Sequence, residues 1–330
     1  MKIRILKGPD VRQALSMQDA ISGMKRAFQA WSSGQVEAPL RSRVHVPEQQ
    51  GVLLTMPAAI PAEDSLVVKL VSVFGRNPER GLPLIHALVL VFDAETGAPQ
   101  ALVDGESLTA LRTGAGSGAA TDVLARPDSQ TVGILGSGAQ ARSQLEAVCA
   151  VRDIRTVRVY SPNRTHAEAF ARELAGFGKI PQALEVADSS TEAVRDADIV
   201  CAATTSVTPV LRFSDLKSGV HLNGVGSFQA SMQEIDAETV KQAYVVADSR
   251  ESVLAEAGDL VIPLQSGEIG PEHIQAELGE VLNGTRPGRT SAEQVTCFKS
   301  CGLAAQDALA AKLILEQAEG LGLGSLLDWT

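Results

Sequence analysis

From residue 131 onward, short apolar runs alternate with stretches whose apolar residues recur at helical spacing. TVGIL leads into AQARSQLEAVCAV, and TVRVY leads into THAEAFARELAGF. ALEVA, DIVCAAT, GVHLNGV and AYVVADS follow as further strand candidates. Strands separated by helices in this way predict a parallel, doubly wound sheet with right-handed crossovers. That α/β domain is assigned to residues 120–297. The chain before it has another rhythm. GVLLTMPAAI, SLVVKLVSVFG and LIHALVLVFDAETGAPQALVDG are strand-like runs broken by Gly and Pro, with AETGAP placed as a hairpin turn. They predict a mixed or antiparallel sheet in a second, α+β domain. ESLTALRTGAGSGAATDVLA reads as a helix although Gly114, Gly116 and Gly118 each cost about 1 kcal/mol relative to Ala. Small residues there predict a close neighbour, either another helix or a ligand. After residue 297, apolar positions 303, 309, 313 and 314 and polar positions 306, 307, 312 and 316 predict an amphipathic helix. It comes too late to extend the parallel sheet, so residues 298–330 are assigned to the first domain, with 1–119.

Composition narrows the function classes. The chain has 330 residues, 45% of them hydrophobic, which suits two domains with substantial cores. Its formal net charge of -10 offers no basic footprint, so no nucleic-acid partner is expected. No stretch approaches the roughly 18 apolar residues of a membrane span, and MKIRILKGPDVRQAL has no signal-like apolar core. A cytoplasmic protein without membrane contact is the expectation. Cys149, Cys201, Cys297 and Cys301 form no CxxC and are read as buried, reduced thiols. The five histidines show no metal-ligand spacing, so no metal site is expected.

The chemistry begins at GILGSGAQA. A GxGxxA run after a strand and before a helix is the dinucleotide fingerprint in its proper setting. Gly136 makes the turn, Gly138 lets a pyrophosphate approach the backbone, and Ala141 keeps helix and strand close. The helix start then offers N–H groups and a positive dipole end. An NAD site usually places an acid at the end of the second strand to hold the ribose 2′-OH. VRVYSPNRTHAEAF has none between Val157 and His166; Asn163, Arg164 and Thr165 stand there instead. A guanidinium with two polar groups suits a 2′-phosphate, so NADPH is the preferred cofactor and NADH a possible one.

RTGAGSGAATDVLARPDSQTVGILGSGAQA, together with PLRSRVHV, LLTMPA, VVKLVSVF and TCFKSCGLAAQDALAA, resembles the ornithine cyclodeaminase/mu-crystallin family over nearly the whole chain. The resemblance implies a Rossmann domain joined to a substrate-binding domain through which the family dimerises, and hence a homodimer. It implies that Arg41, Lys69 and Arg112 contact a substrate carboxylate, with Lys69 also catalytic. Guanidinium groups grip a carboxylate bidentately and a lysine adds a mobile charge and proton donor. A lysine within the apolar VVKLV is expensive unless it has a task. The resemblance further implies that His86, Arg112, Ala139, Gln140, Asn163, Arg164, Thr165, Thr204, Val225 and Ser300 line the cofactor with Gly136 and Gly138. Asp307 is left open as a helix-surface charge or a partner for a site cation.

One departure matters. Ornithine cyclodeaminases carry an aspartate after GVG, where this chain has Ser227 in NGVGSFQASMQEID. A serine is no general base near neutral pH without activation, so cyclodeaminase activity is not expected. The expected activity is NAD(P)H-dependent reduction of a small imino acid. A cyclic ketimine, Δ1-pyrroline-2-carboxylate or Δ1-piperideine-2-carboxylate, would give L-proline or L-pipecolate. The alternatives are reduction of an open-chain imino acid, as by alanine dehydrogenase or iminosuccinate reductase, and a non-catalytic NADPH-binding protein.

Overall fold

The computed structural model describes residues 1–39 and 41–329, and the side chains of all of these but Pro78. Leu40 of the PLRS motif and the terminal Thr330 lie outside the described residues. The strands are β1 (Lys2–Leu6), β2 (Ser42–Val46), β3 (Gly51–Ile60), β4 (Ser65–Phe74), β5 (Ile85–Phe92), β6 (Pro99–Asp104), β7 (Thr131–Leu135) and β8 (Thr156–Tyr160). They continue as β9 (Glu185–Val186), β10 (Ile199–Ala202), β11 (His221–Gly224), β12 (Tyr244–Ala247), β13 (Ile274–Glu277), β14 (Thr296–Lys299) and β15 (Ser325–Asp328). The chain divides into two compact units, residues 1–112 with 303–330 and residues 113–302. The sequence pattern had put the divisions at 119/120 and 297/298. Gly114 accounts for the earlier first division: a Cβ there would stand 2.4 Å from the Ser143 carbonyl, so from this point the helix Gly105–Leu124 packs within the second unit. The close neighbour predicted for its small residues is therefore another helix, Ala139–Val151.

In the first unit a seven-stranded sheet runs β15-β1-β6-β5-β4-β3-β2. It is mixed: β1 lies parallel to β6, and every other pairing is antiparallel. The helices Met17–Ser32 and Ala304–Leu321 pack together, and the latter lies on β3 and β4. Ala20, Ile21, Met24, Ala27 and Phe28 recur at helical spacing and are all buried. The buried face of the sheet bears Met56, Ala58, Ile60, Val67, Val89 and Val91. Gly23 permits the helix contact, since a Cβ there would come within 2.6 Å of Leu313. The predicted hairpin turn is present between β5 and β6, where Gly97 takes φ +72° and the Asp93 carboxylate accepts the N–H groups of Glu95 and Thr96.

The second unit holds an eight-stranded sheet, β13-β12-β14-β11-β10-β7-β8-β9, parallel throughout. Its central strands are buried on both faces, which explains their near-continuous apolar runs. Ile134, Ile199 and Cys201 join one core, while Leu135, Val200 and Ala202 join the other. The run β9-β8-β7-β10-β11 reproduces the first five places of the dinucleotide-binding strand order 3-2-1-4-5-6, while the sixth place is taken by β14, the last strand of the sheet along the chain, with β12 and β13 beyond it. This is a Rossmann-type domain. Among the described residues no helix is long and apolar enough to cross a membrane.

Candidate active site

Lys69 lies on β4 among residues that alternate between buried and half-buried positions, on the buried side with Ser65 and Val67. It is 3% exposed, and a buried ammonium needs a counter-charge. The helix Ala304–Leu321 provides it. Asp307, in its first turn and fully buried, places one carboxylate oxygen 2.6 Å from Lys69 Nζ and the other 2.9 Å from Arg112 Nε. Arg112 Nη1 donates to Gln306 Oε1 at 3.3 Å, and that oxygen also accepts the Leu303 N–H. The structure thus corrects the expected polar face of this helix at 306 and 307: both side chains are buried, drawn inward by Lys69 and Arg112.

Burial lowers the Lys69 pKa to about 8, against the pull of Asp307 and with help from the Arg112 and Arg41 charges. Burial pushes the Asp307 carboxyl up, but Lys69 and Arg112 outweigh it and hold the group below its ordinary value. Two buried cations therefore share one carboxylate, and the excess positive charge suits a small organic anion. Arg41, just before β2, is close enough for its charge to bear on Lys69. The structure brings Arg41, Lys69, Arg112 and Asp307 together. His86 is not part of that cluster. Strand parity puts it with Ser72, on the sheet face opposite Lys69, where its half-exposed ring stands 3.7 Å from Glu106.

In the second unit, β7 ends at Gly136, whose φ is +105° and whose N–H is held by the Tyr160 carbonyl of β8 at 2.9 Å. A Cβ at Gly136 would stand 2.5 Å from the Ala203 carbonyl, so only glycine fits. Gly138 is the N-cap of the helix Ala139–Val151; no side chain caps it, and a Cβ there would meet open space. Ala139 is exposed, Gln140 is half-buried, and Ala141 is sealed against the core. An uncapped helix start beside a glycine turn fits a dinucleotide's pyrophosphate, at the switch point between β7 and β10.

Beyond β8, Asn163 caps the helix Arg164–Leu174 by accepting the His166 N–H. Asn163, Arg164 and Thr165 are all exposed. Arg164 donates to Glu168 at 3.0 Å and to Asp188, which follows β9. Asp188 is an acid beside Arg164 that VRVYSPNRTHAEAF does not contain, because it arrives from the neighbouring strand.

Thr204 follows β10 and gives its N–H to Glu234 at 2.5 Å. Val225 follows β11, is buried, and gives its N–H to the Ala202 carbonyl. Ser300, after β14, commits its hydroxyl to Asp248 at 2.8 Å. Ser227 is fully buried; its hydroxyl donates to the Met232 carbonyl at 2.8 Å and accepts the Asp259 N–H at 3.3 Å. It is a structural hydroxyl. Burial pushes the thiols of Cys149, Cys201 and Cys297 up to about 12, so none of them is a ready nucleophile. Among the described residues no group of three or more His, Cys, Asp or Glu side chains could hold a metal ion.

Comparison with known proteins gives full-length relatives. A Δ1-pyrroline-2-carboxylate reductase of Bacillus cereus is 38% identical over 326 residues, covering 98% of this chain and 99% of that protein. The solved Δ1-pyrroline-2-carboxylate reductase of Thermococcus litoralis, in complex with NADH and L-proline, is 41% identical. It superposes with a TM-score of 0.94 over 98% of this chain and 99% of its own. An archaeal alanine dehydrogenase dimer with bound NAD is 34% identical, with a TM-score of 0.92 over the full length of both chains. The model of the ornithine cyclodeaminase/mu-crystallin family matches residues 1–322, and the chain belongs to that family.

Proposed function

We propose that this protein is an NAD(P)H-dependent reductase of imino acids, and that its substrate is a cyclic ketimine, Δ1-pyrroline-2-carboxylate or Δ1-piperideine-2-carboxylate. The products are L-proline and L-pipecolate. One observation carries the substrate class: Lys69 and Arg112, both buried, share the single carboxylate of Asp307. A substrate carboxylate supplies the missing negative charge, with Arg41 closing the grip. Membership of a family that includes pyrroline-2-carboxylate reductases supports the cyclic substrate.

The cofactor, when bound, supplies the hydride that attacks the carbon of the C=N bond. The turn at Gly136 and Gly138 and the start of the helix at Ala139 and Gln140 hold its pyrophosphate, and Thr204 and Val225 flank its nicotinamide half. NADPH is preferred and NADH accepted. Arg164, with Asn163 and Thr165, meets the 2′-phosphate, while Asp188 competes for the same guanidinium and keeps NADH usable. Lys69, protonated below about pH 8, keeps an ammonium beside the nitrogen that becomes the amine and orients its proton source. Fixing the reactants in a near-attack pose accounts for about 7–11 kcal/mol of barrier in good models. Ser227 is committed to backbone partners and supplies no base for a diamine substrate.

Similarity to the alanine dehydrogenase supports a second reading, reduction of an open-chain imino acid; there Arg43, exposed on β2, is the candidate for a further carboxylate. The assembly is a homodimer. Val44, Leu53 and Leu88 lie on one face of the β2–β5 sheet at 59%, 38% and 48% exposure, and a second copy covers them.

The grip is tested by Lys69→Ala and Arg112→Ala. Each lowers kcat/KM for the ketimine by about a hundredfold or more, at about 1.4 kcal/mol per decade, while circular dichroism shows an intact fold. Near-normal turnover in a folded double variant removes both residues from the mechanism.

A further inference from the structure

The mechanism leaves unused a buried chain of charge at the carboxyl ends of β10, β11 and β14. Its centre is Glu234, fully buried on the segment between β11 and the helix Ala237–Gln242. One carboxylate oxygen accepts the Thr204 N–H at 2.5 Å; the other accepts the N–H groups of Gly226 and Ser227 at 2.7 and 2.9 Å. Thr204 stands on the loop leaving β10, and Gly226 and Ser227 on the loop leaving β11. A single side chain therefore ties together the backbones of two loops.

The loops meet closely. A Cβ on Gly226 would stand 2.1 Å from the Thr204 carbonyl and 2.4 Å from the Glu234 carboxylate, so glycine is required for the contact. Glu234 is itself held from behind. Asp259 accepts the N–H groups of Glu234 and Ile235 at 2.6 and 3.0 Å, and its other oxygen lies 2.9 Å from Lys299 Nζ. Lys299 ends β14 and, like Asp259, is 1% exposed. A chain of buried ions is costly, and apolar residues of similar volume commonly serve stability as well or better. What apolar side chains cannot do is accept three backbone N–H bonds and so fix two loops in one arrangement.

Which part of the cofactor would feel this arrangement follows from the strand order. A dinucleotide-binding sheet has two mononucleotide halves. Here β7, β8 and β9 carry the glycine turn and the ribose-end residues; β10, β11 and β14 form the other half. Glu234 ties loops of that second half alone.

We propose that Glu234, backed by Asp259 and Lys299, is a positioning residue for the nicotinamide half of the cofactor site, setting the loops at Thr204 and Val225–Ser227 to receive that ring. This rests on the cofactor reading given above. Burial, with the neighbouring Asp259 charge, holds the Glu234 carboxyl above its ordinary value, against the opposing pull of Lys299 and of the Thr204 hydrogen bond.

The test is Glu234→Gln, which keeps the shape but turns one acceptor oxygen into a donor facing an N–H. Binding is measured by calorimetry for two ligand pairs that differ only in nicotinamide: NADPH with 2′-phospho-ADP-ribose, and NADH with ADP-ribose. The expected result is that NADPH and NADH bind about tenfold or more weakly, the scale of one lost charge-assisted hydrogen bond, while the two ADP-ribose ligands keep their wild-type affinity. Equal weakening within each pair makes Glu234 a prop for the whole domain and overturns the proposal. Unchanged binding of all four ligands overturns it too. A wild type that binds none of them overturns the cofactor reading itself, and this inference with it. If Glu234→Gln does not fold, Gly226→Ala forces the same two loops apart and is held to the same split.

Discussion

Replacing Asp307 with Asn removes the one carboxylate that Lys69 and Arg112 share, at 2.6 and 2.9 Å, and leaves two buried cations facing each other. The Lys69 pKa of about 8 is a balance: burial and the Arg112 and Arg41 charges lower it, and Asp307 raises it. A charged hydrogen bond is worth about 1.5–3 kcal/mol, and about 1.4 kcal/mol moves a pKa by one unit, so losing Asp307 lowers Lys69 by about 1–2 units. Lys69 acts as the ammonium, so activity is present below its pKa and lost as pH rises through it. The alkaline limb of kcat/KM, expected where Lys69 loses its proton, therefore moves to lower pH in Asp307→Asn. Arg112→Met removes a cation that depresses Lys69, so its limb moves the other way although its activity is much reduced. Breaking one side of a buried pair also costs about 3–5 kcal/mol, so thermal denaturation is followed alongside. The assay is NADPH oxidation over a pH series at saturating cofactor, for wild type and both variants. A limb at the same pH in all three belongs to the substrate's own nitrogen and refutes the role given to Lys69. A shift of both variants in one direction refutes the charge balance.

Arg164→Ala narrows the preference for NADPH about tenfold, chiefly by raising the NADPH KM, while Asp188→Asn removes one of the two carboxylates that hold the guanidinium and lowers that KM; equal changes for NADH in steady-state assays would mean that neither residue meets a 2′-phosphate. Leu53→Asp puts a charge in the centre of the apolar sheet face and shifts the protein from dimer to monomer in analytical ultracentrifugation, whereas a persistent dimer moves the interface elsewhere.

Features set by local sequence were legible. The glycine turn after TVGIL is one, because φ at Gly136 and the helix behind Gly138 are decided within a few residues. The parallel sheet is another, because strands buried on both faces must read as apolar runs. Partnerships across long loops were not. Asp307, open in the sequence between a surface charge and a partner for a site cation, lies 195 residues from Arg112, and only the packing of its helix on β4 turns it inward as the partner of Lys69 and Arg112. Asp188 lies 24 residues beyond Arg164, after a two-residue strand too short to carry a periodicity. For His86, which the family resemblance places at the cofactor, the half-buried Ile85 before it and the buried Ala87 after it fix the parity, and the side chain lies on the other face from Lys69. Glu234 was passed over because nothing in QEID announces a carboxylate that accepts three backbone N–H groups from two loops.

The most direct measurement is one progress curve: purified protein, NADPH and Δ1-pyrroline-2-carboxylate, with NADPH loss and proline formation followed together, beside a parallel reaction with pyruvate and ammonia. The account predicts one L-proline formed for each NADPH consumed, with pyruvate and ammonia far slower. No proline above the enzyme-free control, with brisk NADPH consumption on pyruvate and ammonia, contradicts it.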